Sequence, residues 1–143
     1  MDGGTLENCT IVGNQSGSAY GGIWNRGGVL QNLIVYSNTA PSSVNFDTTM
    51  AFFTNSCTVP LANGTSNITN NPAFVLWGSG YGTNHIPGDY RLTKLSLCRD
   101  TGTNLSWMTT AYDLDGRPRL NGIVDQGAYE FYYGSAGLLI QVQ

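Results

Sequence analysis

The stretch Gly3-Gly4-Thr5-Leu6-Glu7-Asn8-Cys9-Thr10-Ile11-Val12-Gly13-Asn14 realigns on Gly27-Gly28-Val29-Leu30-Gln31-Asn32-Leu33-Ile34-Val35-Tyr36-Ser37-Asn38, an offset of 24 residues (27 − 3). The Gly-Gly pair, Leu6/Leu30, Asn8/Asn32 and Asn14/Asn38 recur unchanged, and Cys9/Leu33 and Ile11/Val35 stay apolar. A period in the twenties among β-branched residues is the signature of a solenoid, in which each repeat is one coil stacked on the next.

Within each repeat the two-residue alternation breaks at one fixed site. Leu6, Cys9 and Ile11 read as inward with Asn8 between them, and Leu30, Leu33 and Val35 repeat that break around Asn32. An alternation interrupted once means two short strands joined by a sharp bend. Asparagine suits the bend because it tolerates the left-handed conformation and its amide bonds locally. Stacking places Asn8 and Asn32 about 4.8 Å apart, so their amides can satisfy each other as an inward ladder. A third coil is expected at Thr54-Asn55-Ser56-Cys57-Thr58-Val59, with Ser56 at the ladder position. The inward stacks then read Cys9/Leu33/Cys57 and Ile11/Val35/Val59. A further strand is expected at Gly22-Ile23-Trp24, closed by Asn25-Arg26-Gly27-Gly28.

The register then loosens. Asn63 to Asn67 is turn chemistry, and Ile68 to Val75 carries one more short strand interrupted by Pro72. Trp77 to Gly88 reads as a loop rich in Gly, Tyr and Asn. From Asp89 the repeat stops, and five basic residues, Arg91, Lys94, Arg99, Arg117 and Arg119, fall before Phe131. The expected organisation is coils over 1–76, a Gly/aromatic loop over 77–88, and a non-repeating cap with a terminal strand over 89–143.

At 143 residues the chain is one domain by length. Charged residues are 10% of it, against roughly 25% in an ordinary domain. A net charge of −3 with scattered basic residues leaves no footprint for nucleic acid. No apolar run approaches the roughly 20 residues of a membrane span; Gly137 to Val142 reads as a terminal strand. The repeat begins at once after Met1-Asp2, with no polar end cap, so the chain is expected to be the C-terminal piece of a longer protein or else a short open reading frame. The open coil near Gly3, guarded by Asp2 and Glu7 alone, and the apolar strand Leu138-Leu139-Ile140-Gln141-Val142 predict self-association through unpaired edges. Cys9, Cys57 and Cys98 make no metal-ligand spacing. Buried free thiols are the first reading; a Cys57–Cys98 disulfide tying the last coil to the cap is the alternative, favoured in an oxidising compartment.

The ordered motifs Asn8-Cys9-Thr10-Ile11-Val12-Gly13-Asn14, Gly21-Gly22-Ile23, Ser56-Cys57-Thr58-Val59-Pro60-Leu61, Gly64-Thr65-Ser66-Asn67-Ile68-Thr69, Asn71-Pro72-Ala73-Phe74-Val75, Asp89-Tyr90-Arg91-Leu92, Asp113-Leu114-Asp115-Gly116-Arg117-Pro118-Arg119 and Val124-Asp125-Gln126-Gly127-Ala128-Tyr129-Glu130 resemble the C-terminal part of bacterial right-handed parallel β-helix proteins of the choice-of-anchor Q group. The resemblance covers nearly the whole chain. It implies a pectate-lyase-like, all-β fold: a right-handed single-stranded parallel β-helix of three to four coils with a C-terminal cap. It also implies secretion and a cell-surface location. Where the group reads Ser-Pro-Cys-Ile-Asp-Ala-Gly, this chain has Ser96-Leu97-Cys98-Arg99-Asp100-Thr101-Gly102, with Arg99 in an apolar place. The group has no uniform activity, so the resemblance implies a fold and an address rather than a reaction.

Asp113-Leu114-Asp115-Gly116 opens like a calcium loop, but a complete loop needs six to eight oxygens and a bidentate acid further on. Arg117, Pro118 and Arg119 follow instead. The preferred reading is a Gly turn whose carboxylates pair with those arginines; calcium at Asp113 and Asp115 is the alternative. Glycoside hydrolysis needs two carboxylates across one bond, and a lyase needs an acidic cluster beside a base. The first 76 residues hold only Asp2, Glu7, Asp47 and Arg26 among charged residues, and Glu7 is followed one coil on by Gln31. The single histidine, His85, has no acid or nucleophile beside it in sequence. The aromatics Tyr20, Trp24, Tyr36, Trp77, Tyr81 and Trp107 could make a sugar-stacking platform, with Tyr36, Trp77 and Tyr81 as the candidate contacts, since ring faces suit carbohydrate; the duller account packs Trp77 and Tyr81 between cap and coil. The leading expectation is a non-catalytic scaffold or adhesive segment without a cofactor, with polysaccharide as a candidate partner. A terminal fragment of a polysaccharide lyase or hydrolase, or a carbohydrate-binding module, is the alternative.

Overall fold

Short alternating stretches of this chain build strands of two to four residues, and those strands stack in register with their counterparts one repeat later. The computed structural model describes residues 3–49 and 51–133. Among them the fold is all-β, with helical backbone confined to 3-10 turns at Gly82–Asn84 and Ser106–Thr109. The strands are β1 (Thr5–Glu7), β2 (Thr10–Ile11), β3 (Val29–Gln31), β4 (Ile34–Val35), β5 (Phe52–Thr54), β6 (Cys57–Thr58), β7 (Asn63–Thr65), β8 (Phe74–Leu76) and β9 (Asp89–Leu92). One parallel sheet has the order β1-β3-β5-β7 and a second the order β2-β4-β6. Isolated parallel bridges Gln15↔Thr39, Ala19↔Ser42 and Ile23↔Phe46 continue the same stacking along the rest of each pass.

The bend between the two sheets is made by residues in the left-handed region: Asn8 (φ 48°), Asn32 (φ 54°), Asn55 (φ 47°) and Ser66 (φ 56°). Asparagine accepts that conformation at low cost, which explains its recurrence there. The passes shorten as they stack. Leu6 pairs Leu30, Leu30 pairs Phe53, and Phe53 pairs Gly64. These are separations of 24, 23 and 11 residues, echoed in the side-chain bonds Asn32–Asn8, Leu33–Ser56 and Ser56–Asn67. The third pass therefore corrects the sequence register by one residue. Asn55, not Ser56, sits at the bend; Cys57 pairs with Ile34 and Thr58 with Val35. Val59 does not extend the Ile11/Val35 stack and Cys57 does not extend Cys9/Leu33, because a one-residue slip moves every side chain to the other face.

Two apolar clusters result. The interior one joins Ile23, Leu30, Leu33, Val35, Phe46 and Phe53, with Leu6, Cys9 and Ile11 at its partly open end. Phe46 and Phe53 meet edge to face at 4.8 Å between centroids. The second cluster lies on the opposite face of the β2-β4-β6 sheet, where Ile34 and Cys57 pack against Phe74, Leu92 and Cys98. Residues 74–133 thus form a strap over that face. The strand at Phe74–Leu76, read from sequence as part of the last coil, pairs antiparallel with β9 instead.

The strap also takes the ladder amides. Asn32 Nδ2 donates to Asn8 Oδ1 at 3.2 Å along the stack. It donates also to Thr103 O, and its Oδ1 accepts Thr103 N–H at 2.8 Å. Asn8 Nδ2 donates to Asp125 O, and Asn55 Nδ2 to Thr101 O. These amides point to the strap rather than to the apolar interior, which corrects the inward placement read from the alternation. A second amide row runs Asn14–Asn38–Asn45, with Asn14 Nδ2 on Asn38 Oδ1 at 2.9 Å and Asn38 Nδ2 on Asn45 Oδ1 at 3.0 Å. The expected terminal strand Leu138–Val142 and the guard residue Asp2 lie outside the described residues.

Candidate functional site

The acidic residues of the strap satisfy backbone. Asp113 Oδ1 accepts the N–H groups of Asp115 and Arg117, at 2.9 and 2.8 Å, and its Oδ2 accepts that of Glu130 at 2.9 Å. Both oxygens close the Asp113–Arg117 turn and pin the strap. Asp115 faces Arg91, with Oδ2 at 3.9 Å from a guanidinium nitrogen. The pairing with Arg117 and Arg119 read from sequence is thereby revised: Asp113 takes the Arg117 backbone, and Asp115 pairs with Arg91. Among the described residues no three of His, Cys, Asp and Glu are grouped to hold a metal ion.

Beside Asp113 lies a buried cluster that sequence reasoning did not single out. Arg119 is 2% exposed, Asp125 2% and Glu130 4%. Arg119 Nε stands 3.3 Å from Glu130 Oε1, an ion-pair distance without hydrogen-bond alignment. Its terminal nitrogen donates to the carbonyls of Asp125 and Gly127. Asp125 accepts the N–H groups of Asp100 and Phe131. Burial pushes the Glu130 carboxyl up to about 8, against the pull of Arg119. Burial also raises Asp125, and it lowers Arg119 despite the surrounding carboxylates. One cation facing three buried acids leaves excess negative charge, and a retained proton relieves it. The available signal was the spacing Asp125/Glu130 within an otherwise uncharged run.

The aromatic candidates do not form one exposed platform. Trp77 packs against Tyr36 at 5.9 Å and Phe74 at 4.9 Å, both rings tilted. Tyr36 and Trp77 are thus half-buried flanks of the second cluster, and Tyr81 stands exposed at the rim of a small cavity with Trp77. His85, at the same rim, has partners the sequence did not reveal. Its Nδ1 lies 3.1 Å from Gly80 O and its Nε2 2.8 Å from the Tyr90 hydroxyl. The carbonyl can only accept, so Nδ1 donates there. The imidazole fills the space where a Cβ on Gly13 would lie, which requires glycine at that position (φ +71°). Arg99, the residue that departs from the resembled pattern, spreads over the Phe131 ring at 4.0 Å and donates to Lys94 O. Its charge is placed on a ring face, so the turn packs without the apolar residue.

A cavity of about 320 Å3 lies between the first pass and the strap. Glu7, Asn8, Cys9, Trp107, Tyr112 and Arg119 are among its walls. Trp107 Nε1 donates to Glu7 Oε2 at 2.8 Å, holding the indole across the mouth. Trp107 is 44% exposed and Tyr112 69%. Burial raises the Cys9 thiol above its ordinary value.

Cys57 and Cys98 are free thiols, both fully buried. They share the second apolar cluster, and each thiol perturbs the other: Cys98 and burial push Cys57 up, while Cys57 lowers Cys98. Compared with models of protein families, with curated proteins and with solved structures, the chain matches none.

Proposed function

We propose that this chain is a non-catalytic segment of a secreted or cell-surface right-handed parallel β-helix protein, with the strap as its C-terminal cap and a scaffold or adhesive role. The fold and address rest on the ordered motifs quoted above, and the parallel stacking of β1, β3, β5 and β7 is compatible with the fold. One observation carries the non-catalytic reading: the acids of the cap are spent on structure. Asp113, Asp125 and Glu130 all accept backbone N–H groups, and all are buried. A raised carboxyl pKa is also a mark of a general acid. Here the oxygens of Glu130 face the Asp125 N–H and Arg119 rather than solvent.

Purified protein incubated with pectate, alginate and plant polysaccharides, with and without calcium, is expected to release no unsaturated or reducing ends. Reproducible release that disappears when a single acidic residue is replaced would overturn the reading. A second reading, a carbohydrate-binding module, is favoured by the cavity walled by Trp107 and Tyr112, whose size and mixed lining suit a sugar ring. A binding isotherm on any of the same polysaccharides that Trp107→Ala abolishes would favour it over the scaffold.

A further inference from the structure

The strap is fastened to the third pass on both sides of one point. Thr101 O accepts Asn55 Nδ2 at 3.1 Å, and Thr103 Oγ1 donates to Asn55 Oδ1 at 2.8 Å. Asn55 lies two residues before Cys57, and Thr101 three after Cys98. Gln126 N–H donates to Cys98 O at 2.8 Å, and Gly127 N–H to Asn32 O at 2.8 Å, so the strap is held from beyond as well. Cys57 is fixed by its pairing with Ile34 and by N–H donation to Leu33 O at 2.7 Å. These bonds hold the two thiols in one buried apolar cluster, together with Ile34, Phe74 and Leu92. The sulfur of Cys57 has a polar outlet in Asn70 O at 3.0 Å, and Cys98 N–H is taken by Ser96 Oγ.

We propose that Cys57 and Cys98 form a disulfide-forming site, closed by a small-molecule disulfide during folding, that clamps the C-terminal strap to the third pass. This does not rest on the functional reading above, since it concerns only the two thiols and the segments that carry them. The chemistry is ordinary exchange. The thiolate of one cysteine, for example Cys98, attacks one sulfur of the donor disulfide and expels one donor thiolate, leaving a mixed disulfide on that residue. Cys57 then loses its proton and attacks the Cys98 sulfur, expelling the second thiolate. Two protein thiols are oxidised, and the donor is reduced to two thiols. Either thiol can serve as the first nucleophile, and the product is the same. Because both sulfurs are buried in the folded state, exchange takes place while the strap is still open. Cys9 lies in a different cluster, at the open end of the interior, and takes no part.

The full chain is unfolded with reductant and refolded either in a mixture of oxidised and reduced glutathione or with dithiothreitol. It is then denatured, alkylated and mapped by mass spectrometry. After oxidative refolding the monomer should take up one alkyl group, on Cys9, and be two hydrogens lighter; the dithiothreitol sample should take up three groups. The oxidised protein should also melt higher, by about 10 °C, because the closed loop constrains the unfolded chain. Cys9→Ser should behave identically with no alkyl group left to add, and that variant keeps the test alive should Cys57→Ser/Cys98→Ser fail to fold. The proposal is overturned by three alkylated cysteines after oxidative refolding, by bonds that include Cys9, or by the same mixture of pairings as arises under full denaturation. An oxidised protein that melts no higher than the reduced one overturns the clamp.

Discussion

Raising the pH from 4.5 to 8 should strip stability from this protein, because Glu130 keeps its proton in the fold and loses it in the unfolded chain. The structural cause is the burial of Glu130, Asp125 and Asp113 around the single guanidinium of Arg119. A glutamate in the unfolded chain titrates near 4.5, and Glu130 in the fold near 8. Below 4.5 both states hold the proton and the full contribution is present. Between the two values only the unfolded chain ionises, and each pH unit removes about 1.4 kcal/mol. Over roughly 3.5 units the upper limit is about 5 kcal/mol. Relaxation and water at the edge of the cluster lower that, and about 2–3 kcal/mol is expected. Above pH 8 both states are ionised and the loss is complete. Asp125, raised by burial, acts in the same direction from its ordinary range near 3.8 upward. Asp89, held low by Arg91, contributes only as the pH falls below that range and lies outside the window. Urea unfolding followed by tryptophan fluorescence at pH 5, 6, 7 and 8 reads the slope. Glu130→Gln keeps the volume and an acceptor for the Asp125 N–H but cannot ionise. It should cost about 1 kcal/mol at pH 5 and show a shallower decline toward pH 8. Wild-type protein as stable at pH 8 as at pH 5, or an equal slope in the variant, would refute the reasoning.

Two further outcomes follow from the stack. Phe53 is fully buried in the interior and its neighbour Phe52 is 67% exposed. Phe53→Ala should therefore cost about 3–5 kcal/mol in urea unfolding and Phe52→Ala less than about 0.5 kcal/mol, and a reversed ranking would sink the 23-residue register of the third pass. Strand β1 ends one sheet and β2 the other among the described residues, and unpaired edges recruit strands. Sedimentation at micromolar concentration should show dimers or larger species, whereas a clean monomer near the 15.3 kDa chain mass would refute that.

The first two passes were legible in the sequence because they are of equal length, so a fixed offset lays Leu6 on Leu30, Ile11 on Val35 and Asn8 on Asn32. The third pass was misread by one residue for the same reason. Carrying the offset of 24 forward chose Ser56 over the adjacent Asn55 as the bend, and turned Cys57 and Val59 to the wrong face. The chemical preference for asparagine in the left-handed region pointed to the right residue and outweighs a spacing rule there. A second face was written in the run Leu33-Ile34-Val35, apolar at every position and all buried. Such a run requires cover on both sides of a sheet, so the burial of Ile34 under a strap was foreseeable, although the identity of the strap was not. What the pattern could not supply was how a non-repeating segment satisfies its own backbone. Within the stack, each pass finds its hydrogen bonds in the pass above or below. In the strap beyond the β8–β9 pair, side chains take that role: Asp113, Asp125 and Glu130 accept its N–H groups from within, and Asn8, Asn32 and Asn55 donate to its carbonyls from the stack. That division of labour explains why a chain so poor in charge gathers most of it after residue 88, where Asp113, Arg119, Asp125 and Glu130 are buried in structure.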